Sequence, residues 1–195
     1  MRTFVGLRLP DEVREQLEGL QARLKAGRLV RPENLHLTLA FLGDQKVEIL
    51  EDLDAELGAI RVPPFKLTLA GLDSFGGDRP RVLFVGAEKS PALIGLHRRI
   101  RSAARQAGIS LPRERFHPHV TLSRFQAHES SEASASLTWA LRVHAAFALP
   151  AFTISEFTLF RSHLTADSPV YEVLRDYPLH HDGLIHWNGE APASF

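Results

Sequence analysis

The sequence predicts an α+β fold made of two similar β-α-β-α-β halves, because three segments recur along the chain in the same order. Phe4-Val5-Gly6 recurs as Phe84-Val85-Gly86, the NLHLTLAFLG stretch as FHPHVTLSRF, and FKLTLAGL as FTISEFTLF. The offsets between matching residues are 80, 83 and 87 positions. Three recurrences at nearly constant spacing indicate an internal duplication.

The first half contains three strand patterns and two helix patterns. Pro10-Asp11 begins a helix with apolar residues at helical spacing, and Gly27 is predicted to end it. The strand with the first H-x-T-x motif ends at Gly43-Asp44, and the GGDRP turn at 76–80 is the predicted boundary between the halves. The predicted strands are 2–9, 36–42 and 65–72, and the second helix is 46–59.

The second half repeats this order and adds one strand. Its predicted elements are a strand around 84–86, a helix at 91–107, a strand at 119–125, a helix at 131–146 and strands at 152–160 and 169–176. The last strand is expected to form a hairpin with 152–162. We predict one bilobal domain over residues 1–179, with halves at about 1–76 and 80–179, followed by a C-terminal tail at 180–195.

Composition and charge set limits on the function. The 195 residues carry 23 basic and 23 acidic side chains, so no net charge attracts the protein to nucleic acid as a whole. The chain has no cysteine and no apolar run near the ~20 residues that a membrane span needs. The beginning of the sequence does not resemble a signal peptide. We therefore predict a cytoplasmic monomer without a membrane partner.

Two H-x-T-x motifs, at His36-Leu37-Thr38-Leu39 and His119-Val120-Thr121-Leu122, are the candidate catalytic residues. Side chains alternate along a strand, so His36 and Thr38 share one face while Leu35, Leu37 and Leu39 face a core. Histidine exchanges a proton near neutral pH, and the threonine hydroxyl can donate to an anionic oxygen. Two such pairs provide an acid and a base for in-line displacement at a phosphodiester, with neither a metal nor a cofactor.

Arginines near the second motif indicate an anionic substrate. Between His97 and Arg124 there are seven arginines against one acid, Glu114, a local balance of 7 − 1 = +6. Arg124 lies beyond Thr121 on the same strand and is expected on the same face, where its planar fork can hold a phosphate. Arg115 is an additional candidate for this role, whereas Arg98 to Arg105 are read as a solvated helix face.

The other histidines have no counterpart in the opposite half. A single histidine near a hydroxyl on a strand is usually structural, and only the duplicated context favours catalysis for His36 and His119. The remaining five before the tail are interpreted as structural or exposed: His97, His117, His128, His144 and His163. The tail histidines His180, His181 and His186 lack accompanying carboxylates, so no metal site is predicted there.

At these motifs the sequence resembles the 2H phosphoesterase superfamily. It is most similar to the RNA 2′,3′-cyclic phosphodiesterases, also called the 2′-5′ RNA ligase family. The resemblance rests on FVGLRLP, PENLHLTLAFLG, RFHPHVTLSR and FRSHLTADSPVYEVLRDYPL, and extends to about residue 179. The chain departs from its relatives at Leu29, where they often carry tryptophan, and at Asp167-Ser168, where small residues or glycine are common.

The resemblance implies a bilobal fold in which two antiparallel sheets flank a central cleft. The implied reaction is hydrolysis of an RNA-terminal 2′,3′-cyclic phosphate to a 2′-phosphomonoester, with tRNA fragments among the candidate substrates. By family analogy His119 is the proton acceptor and His36 the proton donor, although the sequence itself does not orient the pair. Thr38, Thr121 and Arg124 would hold the non-bridging oxygens.

Two alternatives stay open at the level of sequence. One is a sister enzyme that opens a small cyclic phosphate or cleaves 2′,5′-linked oligonucleotides. The other is a non-catalytic module that binds RNA ends, which would be expected to have lost one of the four motif residues. Reversible 2′-5′ ligation is compatible with the same chemistry.

Overall fold

The computed structural model describes residues 1–24, 27–77, 80–113, 115–125, 131–165 and 168–180, with the backbone alone at 131–134. Its helices are α1 (Asp11–Gln21), α2 (Val47–Gly58), α3 (Pro91–Gln106) and α4 (Ser131–Val143), and a short 3-10 helix spans Pro32–Asn34. Its strands are β1 (Arg2–Arg8), β2 (Arg28–Leu29), β3 (His36–Asp44), β4 (Phe65–Leu67), β5 (Leu69–Phe75), β6 (Val82–Ala87), β7 (His119–Arg124), β8 (Phe152–Ile154), β9 (Glu156–His163) and β10 (Val170–Pro178).

The strands form two antiparallel sheets, which confirms the predicted α+β class. The larger sheet has the order β10-β9-β1-β3-β7-β6-β5, with β2 attached to β7, and the smaller one pairs β4 with β8. The predicted hairpin between the last two strands is also confirmed, since β9 and β10 pair from His163–Val170 to Glu156–Pro178.

Each predicted half of the sequence contributes one strand that pairs with the first strand of the other half. Strand β9 of the second half pairs with β1, and β5 of the first half pairs with β6. The order is therefore symmetric about the junction of the two motif strands, β3 and β7. A duplicated chain that exchanged its final strands would have this topology, and the division into halves stays a prediction.

Two predicted strands are each split in two. The segment 65–72 divides at Thr68 into β4 and β5, and 152–160 divides at Ser155 into β8 and β9. At each break the backbone carbonyl accepts a hydrogen bond from the residue that follows a neighbouring strand. The carbonyl of Thr68 accepts from the N–H of Glu88, and that of Ser155 accepts from the N–H of Leu179. The chain thereby passes from one sheet to the other. The apolar alternation continues through both breaks, so the pattern did not reveal them.

Helix α1 ends at Gln21, earlier than the predicted end at Gly27. Gln21 is 5% exposed, and its side-chain amide donates to the carbonyls of Val30 at 2.9 Å and Leu122 at 2.8 Å. The chain must leave the helix here because the short strand β2 then pairs with β7.

A single apolar core connects the helices to one face of the large sheet. Leu35, Leu37 and Leu39 are at most 3% exposed and belong to this core, as predicted. Helices α2 and α3 contribute buried residues at helical spacing: Leu50, Leu53, Leu57, Leu93, Leu96 and Ile100. The motif histidines and threonines, each partly exposed, lie on the opposite face. No helix in the described part of the chain is long and apolar enough to cross a membrane.

Candidate active site

The two H-x-T-x motifs meet where β3 and β7 pair. Leu37, at the centre of one motif, is the antiparallel partner of Val120, at the centre of the other. Continuing this register by one residue places His36 opposite Thr121 and Thr38 opposite His119. Directly opposed residues have Cβ atoms about 5 Å apart, and diagonal neighbours such as His36 and His119 are about 7 Å apart. Each histidine therefore faces the threonine of the other motif.

Both histidines are fixed in the same tautomer by the backbone. His36 Nδ1–H donates to the carbonyl of Asn34 at 2.7 Å, and His119 Nδ1–H donates to the carbonyl of His117 at 2.6 Å. A carbonyl only accepts, so Nδ1 carries the proton and Nε2 is the atom available for proton transfer. In neutral His36, Nε2 accepts from the Thr38 hydroxyl at 3.1 Å.

Aromatic rings hold each imidazole from two sides. His36 packs against Phe4, with centroids 4.8 Å apart, and lies edge-on to Tyr171 at 5.1 Å. His119 packs against Phe84 at 5.0 Å and edge-on to Phe75, also at 5.0 Å. The repeated Phe-Val-Gly segments thus supply the phenylalanine that contacts each motif histidine. The sequence indicated their repetition but not this contact.

A β-bulge at the last residue of each motif turns the next side chains. Gly6 pairs with Thr38 and Val5 with Ala40, so Leu39 is an extra residue in β3. Phe84 pairs with Thr121 and Leu83 with Ser123, so Leu122 is the extra residue in β7. Arg124 is three residues beyond Thr121, and uninterrupted alternation would place them on opposite faces. The bulge returns Arg124 to the motif face.

Two cavities open on either side of the junction, and each contains a histidine from one motif with the threonine from the other. The first, of about 220 Å³, is lined by His36 together with Thr121 and Arg124. The second, of about 340 Å³, is lined by His119 together with Thr38 and Arg115. The six candidate residues are thus divided equally between two cavities at the junction of β3 and β7. Leu29 is 42% exposed on the rim of the first cavity.

The environment of both histidines favours the neutral imidazole. Burial lowers the pKa of His36 to about 4, the carbonyl of Asn34 opposes this shift, and the positive charges of Arg124 and His119 add to it. Burial also lowers the pKa of His119. The hydrogen bond to the carbonyl of His117 opposes this shift, and the positive charges of His117 and Arg124 add to it. Because Arg124 disfavours a charge on either ring, an anion placed among them would raise both pKa values.

Sequence reasoning missed two polar residues that support the site. Asn34 is 7% exposed, and its amide donates to the carbonyl of Pro169 at 2.7 Å while its own carbonyl orients His36. Gln21 ties β2 to the bulged residue Leu122. Asn34 lies in the repeated stretch before the first motif, at the position that His117 occupies in the second, whereas Gln21 belongs to no repeated segment. A buried polar residue on an otherwise apolar helix face was the only available signal for Gln21.

Of the other described histidines, His180 is exposed and His117 lies edge-on to Phe75, while three have further local contacts. His97 stacks on Phe116 with centroids 3.8 Å apart, His163 contacts Glu172 at 2.7 Å, and His144 lies edge-on to Trp139. His128, His181 and His186 lie outside the described residues. Within the described ranges, no group of three or more His, Cys, Asp or Glu side chains is gathered closely enough to hold a metal ion.

This fold, with an H-x-T-x motif on each of two neighbouring strands, is similar to that of a solved phosphoesterase, with a TM-score of 0.74 and 31% identity over 91% of this chain and 97% of that one. The chain belongs to the 2′-5′ RNA ligase superfamily, whose family model matches residues 9–166. The resemblance noted in the sequence is thereby confirmed.

Individual relatives match nearly the whole chain. It is 34% identical over 182 residues to the RNA 2′,3′-cyclic phosphodiesterase of Escherichia coli K12, covering 91% of this chain and 96% of that protein. The crystal structure of E. coli LigT complexed with 3′-AMP matches with a TM-score of 0.73 and 32% identity, covering 91% and 97% of the two chains. A crystal structure from Thermus thermophilus matches with a TM-score of 0.76 and 30% identity, covering 94% and 100%.

Proposed function

We propose that the protein hydrolyses 2′,3′-cyclic phosphate ends of RNA, tRNA fragments among them, to 2′-phosphomonoesters. The observation that carries this proposal is the crossed arrangement of His36 with Thr121 and of His119 with Thr38. Each of the two cavities at the junction of the motif strands is thereby lined by the imidazole of one motif and the hydroxyl of the other. The relatives named RNA 2′,3′-cyclic phosphodiesterase support the choice of substrate.

In the proposed mechanism His119 is the base and His36 the acid. A water oxygen attacks the phosphorus as its proton passes to His119 Nε2, and the bond from phosphorus to O3′ breaks as O3′ takes a proton from His36 Nε2. Both Nδ1–H groups stay bound to their carbonyls, so each ring keeps its orientation as the charge changes. One proton is gained and one is lost in each turnover, and solvent exchange restores both rings.

The substrate anion prepares the acid for its role. In the free protein the lowered pKa of His36 leaves it neutral at pH 7. A bound phosphate offsets the charge of Arg124 and favours protonated His36. Thr38, Thr121 and Arg124 then donate to the non-bridging oxygens, where negative charge accumulates in the transition state. Donation from Thr38 to the phosphate also frees His36 Nε2 from its present contact.

The same site can accept a second nucleophile in place of water. If a 5′-hydroxyl replaces water beside His119, attack on the cyclic phosphate forms a 2′-5′ bond and releases O3′. The protons follow the same path, so ligation needs no additional residue. Hydrolysis is favoured where water is in excess and no second RNA end is bound.

The test is the product formed from an RNA oligonucleotide with a 2′,3′-cyclic phosphate, incubated with the protein and EDTA. We expect a 2′-phosphomonoester, which resists a 3′-specific phosphatase. A 3′-phosphomonoester would contradict the assignment of the leaving oxygen. Turnover that EDTA abolishes and zinc restores would contradict the metal-free mechanism. Binding without any turnover would identify the protein as an RNA-end binding module.

A further inference from the structure

The cavity on the His36 side continues beyond the residues that the proposed reaction uses. Besides His36, Thr121 and Arg124, its wall contains Arg28 and Arg31. Among the described residues that line it there is no carboxylate, and within the described part of the chain neither arginine has an ion-pair partner. Both side chains are exposed. The cavity thus has more positive charge than a single phosphate requires.

Arg28 is paired with Arg124 across β2 and β7, and this pairing is unusual. Directly opposed residues on paired strands point to the same face, and like charges in this position are destabilising. Both side chains line the cavity. An anion with two successive negative groups would remove the repulsion, with one group at Arg124 and the next at Arg28.

The segment that carries these arginines is fixed to the catalytic strand. Val30 N–H donates to the carbonyl of Leu122 at 2.8 Å, and Gln21 joins the carbonyls of Val30 and Leu122. Leu122 is the bulged residue that directs Arg124 into the cavity. Arg28 and Arg31 are therefore held at a set position relative to Arg124.

We propose that Arg28 and Arg31 bind the phosphodiester immediately upstream of the cyclic phosphate, so that the enzyme prefers an RNA chain to a mononucleotide. This inference rests on the proposed function. In-line attack from the His119 side places the ribose and its 5′ neighbour on the His36 side, where these arginines lie. The ligand class is single-stranded RNA ending in a cyclic phosphate.

The experiment compares kcat/KM on cytidine 2′,3′-cyclic monophosphate and on a trinucleotide with the same cyclic end. We expect the wild-type protein to favour the trinucleotide at least tenfold. Arg28→Gln and Arg31→Gln should each reduce this preference about tenfold, mainly through KM, because a hydrogen bond to a charged group contributes roughly that factor. In the double variant the salt dependence of log(kcat/KM) for the trinucleotide should lose about 0.7 from its slope, since the two arginines neutralise one phosphate and each neutralised phosphate of a single strand contributes about 0.7.

Two control variants distinguish binding at Arg28 and Arg31 from a general effect of the protein's charge. Arg99→Gln removes the same charge from an exposed position on α3 that lines neither cavity, and should keep the trinucleotide preference. The double lysine variant R28K/R31K should keep the salt slope while losing part of the preference, because an ammonium lacks the fork.

Three results would overturn the inference. The first is that the wild-type protein has equal kcat/KM values on the two substrates. The second is that the glutamine variants lose equally on both substrates. The third is that Arg99→Gln reduces the trinucleotide preference as much as Arg28→Gln or Arg31→Gln does. A wild-type protein that hydrolyses neither substrate would instead contradict the proposed function.

Discussion

Leu37 in the first motif is the backbone partner of Val120 in the second. Each is the apolar residue between a histidine and a threonine, and both are fully buried. Because this pair lies on the core face of the sheet, its register determines which threonine lies opposite each histidine on the other face. The predictions that follow depend on this register.

Removal of either histidine should slow the reaction without preventing binding. His36→Ala and His119→Ala are each expected to lower kcat by roughly 10²–10⁴-fold, the range for a positioned acid or base. The double variant should lose much less than the product of the two, because the pair acts as a unit. Single-turnover rates measure the loss in the chemical step, and the affinity for a 2′-phosphorylated product measures whether binding is kept. Equal losses of affinity and rate would identify the histidines as binding residues.

Arg124 should contribute more than either threonine. Arg124→Ala removes a charge-assisted fork at the phosphate, whereas Thr38→Ala and Thr121→Ala each remove one neutral donor. We expect the arginine variant to have the lowest kcat/KM of the three. Steady-state kinetics separate the effects, since contacts made only in the transition state lower kcat and uniform contacts raise KM. A threonine variant as slow as the arginine variant would contradict this order.

Acid should destabilise the fold through His36. Its pKa of about 4 in the folded protein lies below the unfolded value of about 6.5, so the unfolded chain binds the proton more readily between these values. The contribution to stability is complete above pH 6.5 and is lost as the pH falls toward 4, by at most about 3 kcal/mol. Urea unfolding at pH 7, 6 and 5 should show a smaller loss for His36→Gln than for wild type. Parallel curves would disprove the assignment.

Gly6 should not accept a methyl group. A Cβ at Gly6 would lie 2.9 Å from the carbonyl of Leu37 and 3.5 Å from Cδ2 of His36, so Gly6→Ala should displace the motif strand. We expect it to destabilise the protein by about 1–3 kcal/mol, as overpacking does, and to lower kcat. The control is Gly95→Ala in α3, where a Cβ has no neighbour within 4 Å. That change should stabilise the protein by about 0.5–1 kcal/mol.

Gln21 should be necessary for the position of β2. Gln21→Met keeps the side-chain length but removes both donated hydrogen bonds, including the buried one to the carbonyl of Leu122. We expect a loss of about 1–3 kcal/mol in the free energy of unfolding, with a reduced kcat/KM. Gln106→Met, at an exposed position at the end of α3, is the matched control and should be close to neutral. Equal effects of the two changes would contradict the role of Gln21.

The sequence was sufficient for the fold class, and it indicated the candidate site residues because the H-x-T-x motif occurs twice in similar surroundings. It was insufficient where the backbone departs from regular alternation. The breaks at Thr68 and Ser155 depend on hydrogen bonds from distant strands, and the bulge at Leu122 arises from pairing with β6. Gln21 likewise contacts a residue 101 positions away, and no local pattern specifies such a contact.

The pairing of β1 with β9 means that the surroundings of His36 are completed by residues far along the chain. Phe4, which packs on His36, belongs to β1, and β1 pairs with β9, more than 150 residues later. Tyr171, on the other side of His36, comes from the last strand. During synthesis the first histidine is exposed on a growing chain long before these partners emerge from the ribosome. A nascent chain that stops before β9 therefore has both motifs but an incomplete surround for His36, because β9 and Tyr171 have not yet been made.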